Sequence, residues 1–411
     1  MREQFEFSKS GKSVRRLVEL SSARRTTTFR LGDRARAGDD PHSVFDGILL
    51  RRSRPTHWPV RAAPRVTVVD LFCGCGGLSL GAAEACASVG SRLVPLLAVD
   101  KDADSVAVYA KNLHCKQSLV CDILDLVDGE LDSKRTRRER ALQRSLKGVD
   151  ILLAGPPCQG HSDLNNHTRR DDPRNRLYDR VGRFAQLTRP NHIIIENVPA
   201  AVHDRLGTVQ KTLQALQALG YETDSSVVDL SRIGVPQGRK RHVVVASLTK
   251  SPCTAQVIED HSVRRRRSVM WAIDDLRAES PNGVFTTPTH LSDENVKRLA
   301  YLYEHDLYDL PNKLRPGCHS HGNHSYKSMY GRLHGDRCAQ TITGGFGSPG
   351  QGRFVHPTQQ RVITPHEAAR LQFFPDFFDF SSVKTRTSLA RMIGNAVPMK
   401  LSYVLCLELL A

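Results

Sequence analysis

No run in this 411-residue chain approaches the roughly 20 consecutive apolar residues that a membrane-spanning helix needs, so an integral membrane protein is not expected. The opening Met1-Arg2-Glu3-Gln4-Phe5 lacks the charged-then-apolar pattern of a secretory signal. The 10 cysteines show no paired spacing, which argues against a disulfide framework and for reduced thiols in a cytoplasm. Metal ligation finds little support either. Cys73-x-Cys75 is followed by no second cysteine or histidine pair at ligand distance, and no cysteine pair frames His319, His321 and His324, so no metal is expected. Gly-x-Gly-x-x-Gly is missing from the first glycine turn, which weakens a dinucleotide-binding reading.

Acidic residues are comparatively few: 43 Asp and Glu against 59 Lys and Arg leave a net charge of +16. Such an excess favours a polyanionic partner, of which nucleic acid is the commonest. About half of it lies within the first 65 residues, so a basic tail on an otherwise neutral enzyme is the competing explanation. Residues 1 to about 62 mix short apolar fragments with Arg15-Arg16, Arg24-Arg25 and Arg51-Arg52. The stretch reads as a partly disordered extension with one short helix near Val14 to Ser22. It either binds phosphate nonspecifically or is a tethered tail without a role; composition leaves both open.

From Arg65 the pattern changes. Val66 to Phe72 reads as a buried strand, followed by the turn Cys73-Gly74-Cys75-Gly76-Gly77 and a helical stretch from Leu78 to Ser88. Strand, glycine turn and helix open a nucleotide-type binding unit, with Gly74, Gly76 and Gly77 letting a ligand approach the backbone. A second strand, Leu93 to Val99, ends in Asp100, and a third, Gln117 to Val120, leads into Asp122 and Ile123. Three such strand ends suit one ligand touched at three points, a nucleoside with a ribose. Asp102 suits the N-cap of a helix from Asp104 to Leu113, and Lys134 to Lys147 reads as a solvated helix face.

The strand pattern Val149 to Ala154 runs straight into Gly155-Pro156-Pro157 and then Cys158. The prolines stiffen the turn and the glycine lets it bend, so Cys158 stands on a rigid platform at a strand end, as a nucleophilic thiol would. The loop from His161 to Arg176 carries Arg169, Arg170, Arg174 and Arg176 and suits a lid over a nucleic-acid backbone. A fifth strand, His192 to Ile195, ends in Glu196-Asn197-Val198-Pro199, where the carboxylate is either a proton donor or a salt-bridged structural group. Arg239 and Arg241 alternate ahead of the strand His242 to Ser247; one of them can hold a base oxygen or pair with Glu196. Beyond Ser247 the pattern loosens into an irregular region holding Arg264-Arg265-Arg266-Arg267 and a glycine-rich run from Gly344 to Gly350. Thr364-Pro365-His366-Glu367 caps a helix through Phe373, and Gly394-Asn395-Ala396-Val397-Pro398 precedes a last helix to Leu410.

Taken together, residues 66 to 411 resemble the DNA cytosine-5 methyltransferases. The likeness rests on six motifs in one order: Asp70 to Gly77, Gly155-Pro156-Pro157-Cys158-Gln159, Glu196-Asn197-Val198, Gln237-x-Arg239-x-Arg241, Arg361 to Pro375, and Gly394 to Pro398. The resemblance implies an α/β, doubly wound, Rossmann-like catalytic domain dependent on S-adenosylmethionine, formed by residues 63–248 plus 361–411. A smaller irregular target-recognition domain would span 249–360, and the basic extension 1–62 lies outside the family core. S-adenosylmethionine, with S-adenosylhomocysteine as product, would touch Phe72, Gly74, Gly76, Gly77 and Pro157. Asp100 would meet its ribose and Asp122 and Ile123 its adenine, while Asn395 and Val397 close the methionine end.

The same resemblance implies a chemistry. Cytosine C5 is a poor nucleophile until the Cys158 thiolate attacks C6 and leaves an enamine. Glu196, protonated, would donate to N3, and Arg239 or Arg241 would hold the O2 side and the carboxylate, the family pointing to Arg241. The base must leave the duplex to be reached. DNA contacts are assigned to Gln159, Ser162, Arg174 and Gln237. His161 stands where the family often has an aromatic residue, and Asp100 where glutamate is commoner. Double-stranded DNA is the expected partner of a monomer, with restriction-modification or phage defence as the setting and a cognate restriction or defence protein as its companion. An RNA cytosine-5 methyltransferase is the nearest alternative. An inactive DNA-binding protein is the other, and the presence of Cys158, Glu196 and both arginines argues against it.

Overall fold

The structure is a computed structural model that describes residues 2–21, 23–31, 38–55, 58, 61–157, 177–203, 207–317 and 328–411. Its centre is a seven-stranded sheet. The strands are β4 (Arg65–Leu71), β5 (Arg92–Asp100), β6 (Ser118–Val120), β7 (Ile151–Ala154), β8 (His192–Asn197), β9 (Glu222–Asp229) and β11 (Lys240–Ser247), in the order β6-β5-β4-β7-β8-β11-β9. The first five are parallel, and β11 runs antiparallel between β8 and β9. The near-continuous Val, Ile and Leu runs of β4, β7 and β8 are what a parallel sheet covered on both faces demands. Pro95 cannot donate to the ladder, and the β4–β5 register slips there: Val68 faces Pro95, but Val69 faces Leu97.

The order of winding reverses at β4. From β4 the chain first builds outward through α2 (Gly77–Ser88), β5, α3 (Ala103–Leu113) and β6, then returns to the other side of β4 for β7 and β8. Leu71 is level with Val99 and with Ala154, and Ala154 is level with Ile195. The next residue of each strand, Phe72, Asp100, Gly155 and Glu196, therefore falls in one row along the carboxyl edge. That is the switch point at which open α/β sheets bind ligands. The doubly wound α/β class read from the sequence is the class observed. On the flanks, α3 is capped by Asp102, and the helix Pro365–Leu371 carries the capping box of Thr364 and Glu367. In α4 (Arg137–Ser145) the arginine-rich face is solvated as expected, yet Glu139 is buried and paired with Arg183 at 2.7 Å. The apolar C-terminal stretch Arg386–Leu410 is broken at Pro398 into two helices and lies mostly inside the fold.

The N-terminal extension departs from expectation. Three antiparallel strands, β1 (Arg2–Phe7), β2 (Ser13–Glu19) and β3 (Arg24–Arg30), are followed by α1 (Pro41–Leu50). The helix expected near Val14 to Ser22 is instead the central strand β2. Val14, Leu17 and Val18 fit a helical stripe, but Arg16 between them is also buried, ion-paired to Glu84 of α2 at 2.8 Å. A partner 68 residues away in the chain turns a residue read as solvated into a core residue. The cover has a reason: α2 is apolar almost all round, and such a helix must be enclosed. The helix Met399–Leu410 encloses one side, so closely that a Cβ on Gly81 would lie 2.0 Å from the Met399 carbonyl oxygen. The N-terminal sheet supplies another side, through Arg16, Glu84 and Tyr403.

Glu3 of β1 is locked into the same contact, 2.9 Å from His261 and accepting from the Tyr403 hydroxyl. Burial by itself would raise this carboxyl, but the His261 hydrogen bond and the His261 and Arg16 charges bring it from an ordinary 4.5 down to about 2. A depressed carboxyl stabilises the fold above its unfolded value and loses that contribution as pH falls through the folded value. The stability advantage of wild type over Glu3→Gln, measured by urea unfolding, is therefore expected to be full near pH 5 and to vanish by about pH 2. A difference independent of pH across that window would show that the carboxylate is not what holds β1.

Candidate active site

The row of strand ends forms the floor of a cavity of about 1630 Å³. Phe72, Gly74, Gly77, Asp100, Asp122 and Ile123 line one end of it, and Pro157, Glu196, Arg239, Arg241, Asn395 and Val397 line the rest. Twelve residues chosen from scattered motifs thus converge on one space. Gly76 and Gln237 do not line it. Cys158, Gln159, Ser162 and Arg174 lie outside the described residues, as do His319, His321 and His324. Among the described residues no group of three or more His, Cys, Asp or Glu is placed to hold a metal.

The glycine turn serves three separate purposes. Phe72 and Gly74 both take positive φ, 55° and 50°, and a Cβ on Gly74 would meet nothing within 4 Å. Gly74 is thus the glycine that leaves room for a ligand, and its amide is aimed by the Asp100 carboxylate, which accepts from it at 2.9 Å. Gly76, at φ 99°, faces the protein instead: a Cβ there would lie 2.6 Å from Leu113 and 2.8 Å from Tyr109 of α3. Gly77 is pressed against the Val397 carbonyl, which a Cβ would approach to 2.1 Å. At Gly74 the missing side chain leaves open space beside the cavity, whereas at Gly76 and Gly77 that space is taken by neighbouring protein, although Gly77 still lines the cavity with its backbone.

Around this turn the acids are fixed by local chemistry. Asp100 accepts from the Gly74 and Asp102 amides at 2.9 Å each, so both of its oxygens are oriented before any ligand arrives. Asp122 caps the turn Ile123–Asp125 and sits 2.6 Å from Lys101 Nζ. Partial burial works against ionisation there, but the Lys101 hydrogen bond, the Leu124 amide and the Lys101 charge together outweigh it and hold the carboxyl below its usual range. Arg391, which also lines the cavity, reaches Asp102 at 2.7 Å. This arginine was not anticipated, because its helix, Arg386–Asn395, escaped notice. Thr385, whose side chain accepts from the Ser388 amide, was the available signal.

At the other end, Glu196 and Arg241 form an ion pair, Nε to Oε1 at 2.6 Å, with both side chains largely buried. The antiparallel β8–β11 register sets Glu196 opposite Val243, which brings the residue two before it alongside the carboxylate. The other oxygen, Oε2, lies 3.9 Å from where a Gly155 Cβ would be, so the carboxylate borders the Gly155-Pro156-Pro157 turn. Asn197 ties that turn down, its Nδ2 donating to the Pro156 carbonyl at 3.4 Å while its Oδ1 accepts from the Val198 amide at 2.8 Å. Sequence reasoning quoted Asn197 within a motif but gave it no task.

The two alternating arginines part company. Arg239 is almost wholly buried and donates to the carbonyls of Ile342 and Gly394 at 3.1 and 3.2 Å. Holding the carboxylate belongs to Arg241, and Arg239 clamps two distant backbone segments together. Gln237 corrects another expectation. Rather than facing DNA, it is fully buried; its Nε2 donates to the Leu371 carbonyl and to Gln372 Oε1, and its Oε1 accepts from the Ile342 amide.

A seven-stranded sheet of this order, with a cavity at its carboxyl edge, is the fold of S-adenosylmethionine-dependent methyltransferases. Solved structures share it: Dnmt2 methyltransferase of S. pombe, at a TM-score of 0.59 and 18% identity, covers 84% of this chain and 99% of its own. A putative DNA modification methyltransferase encoded within an E. coli prophage gives a TM-score of 0.57 and 23% identity, over 84% of this chain and 98% of its own. Residues 66–410 match the C-5 cytosine-specific DNA methylase family, and the chain belongs to it: it is a DNA (cytosine-5)-methyltransferase. The chain is similar to the Type II methyltransferase M1.BsuMI of Bacillus subtilis, 45% identical over 368 residues that make up 89% of this chain and 85% of that protein. It is also similar to the Type II methylase M.HgiDII of Herpetosiphon aurantiacus, 31% identical over 82% of this chain and 93% of the other.

The separate duties of the glycines can be tested. Gly77→Ala, forced against a backbone carbonyl, is expected to destabilise the fold by at least ~1–3 kcal/mol. Gly74→Ala, with open space but a positive φ, is expected to cost about 1–2 kcal/mol and to weaken cofactor binding more than its stability loss explains. Denaturant melts and isothermal titration with S-adenosylmethionine separate the two effects. Equal stability losses with equal affinity losses would contradict the assignment.

Proposed function

We propose that the protein transfers the methyl group of S-adenosylmethionine to C5 of a cytosine flipped out of a specific duplex DNA sequence, through a covalent bond from Cys158 to C6. The observation that carries this reading is the Arg241–Glu196 pair beside the Gly155-Pro156-Pro157 turn, in the cavity whose far end is the Gly74 turn. The open Gly74 backbone and the oriented Asp100 carboxylate fit a nucleoside, with Asp122 and Ile123 flanking the base side and Asn395 and Val397 the methionine side. When bound there, S-adenosylmethionine supplies an electrophilic methyl group and leaves as S-adenosylhomocysteine.

The chain's own residues act on the base. The Pro156-Pro157 turn, tied by Asn197, stiffens the approach to Cys158 so that its thiolate meets C6 from one fixed direction. As a sulfur lone pair forms the S–C6 bond, the C5–C6 π pair is displaced toward C5 and C4, and negative charge gathers on N3 and O2. Arg241 holds Oε1 of Glu196, which leaves Oε2, the oxygen on the Gly155 side, to present a proton to N3. After C5 is alkylated the N3 proton returns to Glu196, the C5 proton leaves to solvent and the thiolate is expelled, restoring the aromatic ring. Residues 63–248 and 361–411 serve as the catalytic domain, residues 249–360 recognise the target, and Gln159 with the stretch His161 to Arg176 contacts DNA. The relatives named as Type II methyltransferases support a setting of restriction-modification.

The test is methyl transfer from labelled S-adenosylmethionine to duplex DNA, with bisulfite sequencing of the product. Wild type is expected to methylate cytosine in one short recurring context. Cys158→Ser is expected to lose detectable transfer, and Arg241→Ala, which leaves Glu196 buried without its partner, to fall at least ~100-fold. Methylation that survives Cys158→Ser, or label that goes to transfer RNA and not to DNA, would overturn the proposal.

A further inference from the structure

The run Arg264-Arg265-Arg266-Arg267 takes no part in the catalytic reading. It forms one wall of a second cavity, of about 1380 Å³, whose opposite wall is α1 and the end of β3. Seven arginines line it: Arg30, Arg51, Arg52 and the four of the run. The acids among them are already matched. Asp275 lies 3.1 Å from Arg51 and 3.3 Å from Arg370, Asp274 lies 2.7 Å from Arg277, and Asp40 lies 3.4 Å from Arg267; Asp39 is engaged as well. What remains is cationic. Arg30, Arg264 and Arg265 are exposed and have no ion-pair partner among the described residues.

These cations stand on a fixed frame. The Val263 amide donates to the Arg232 carbonyl and the Val269 amide to the Arg337 carbonyl, both at 2.8 Å, pinning the loop on either side. Arg267 is buried, stacked over Trp271 at 5.6 Å, and its carbonyl accepts from the Cys338 thiol at 3.2 Å. Arg51 stacks over the other side of the groove's floor, 5.9 Å from the same Trp271, and donates to its carbonyl. The backbone that carries the exposed arginines is thus held before binding, and their planar guanidinium forks suit phosphate oxygens. The groove also adjoins the active site, because Cys338 lines the catalytic cavity.

We propose that this groove binds the phosphate backbone of duplex DNA flanking the target cytosine, with the N-terminal sheet and helix supplying one of its walls. The proposal rests on the reading of the protein as a duplex-DNA methyltransferase, but its test does not require turnover. The full chain, without cofactor, is titrated by fluorescence anisotropy against two mixed-sequence duplexes, a short one and one longer by a helical turn at each end, over a series of salt concentrations. Arg264→Ala/Arg265→Ala is expected to weaken binding to the longer duplex several-fold and to reduce the slope of log affinity against log salt by about 2, at roughly 0.9 per phosphate contact. Binding to the short duplex, which does not reach the groove, is expected to weaken less than binding to the longer one. Arg30→Ala, on a different element, is expected to lower the same slope by about 1, which keeps the test decisive if the double variant misfolds. An unchanged affinity and slope on the longer duplex would overturn the proposal, including the case in which an acidic protein segment is what the groove takes. A slope that falls in these variants, with a wild type that methylates no DNA, would leave the groove standing and remove the functional reading instead.

Discussion

Four chain segments meet around the cavity, and one buried polar knot joins them. Gln237 bonds to the Leu371 carbonyl, to Gln372 and to the Ile342 amide; Arg239 bonds to the Ile342 and Gly394 carbonyls; Gln372 Nε2 donates to the Ile393 carbonyl at 2.6 Å. Residues 237–239, 342, 371–372 and 393–394 are thereby held in register without contributing strands to the main sheet. An apolar contact would hold them together but would not set their register, because it has no direction; a charge-assisted bond from Arg239 to two carbonyls does both. Two parts of the cavity lining follow from this. Arg241 is placed by Arg239 two residues earlier, and the loop that carries Asn395 and Val397 is placed by the Gly394 carbonyl.

The second dependency is the enclosure of α2. A helix without a polar face cannot border water, and the glycine turn that precedes it cannot hold its shape if that helix shifts. The helix Met399–Leu410 and the N-terminal sheet provide the enclosure, one by backbone contact at Gly81 and the other through the buried Arg16–Glu84 pair. The N-terminal residues that precede the family match at 66 are thus part of the support for the glycine turn of the cavity, and in the arginine groove they also present charge.

The parts legible in the sequence were those whose cause is local. Strands covered on both faces leave continuous apolar runs, so β4, β7 and β8 were visible, and the capping box at Thr364 and Glu367 announced its helix. Illegible were the features whose cause lies far along the chain. Arg16 is buried because Glu84 is, which no window around β2 can reveal. Gly76 and Gly77 look like ligand-facing glycines until Leu113 and the Val397 carbonyl are seen to need the space. The alternation of Arg239 and Arg241 left open whether one of them holds a base oxygen or pairs with Glu196; the β8–β11 register brings Arg241 to the carboxylate. Gln237 sits within a motif shared with DNA enzymes, yet its amide is spent inside the protein.

The claim on which the account turns is that the thiol delivered by the Gly155-Pro156-Pro157 turn attacks the cytosine ring. A duplex whose target cytosine carries fluorine at C5 tests it most directly, because fluorine cannot depart as a proton does and the covalent intermediate is trapped. With S-adenosylmethionine present, digestion and mass spectrometry are expected to find the nucleotide, bearing an added methyl group, on the peptide containing Cys158. An absence of any adduct, or an adduct on Cys73 or Cys121 of the opposite end of the cavity, would contradict the account.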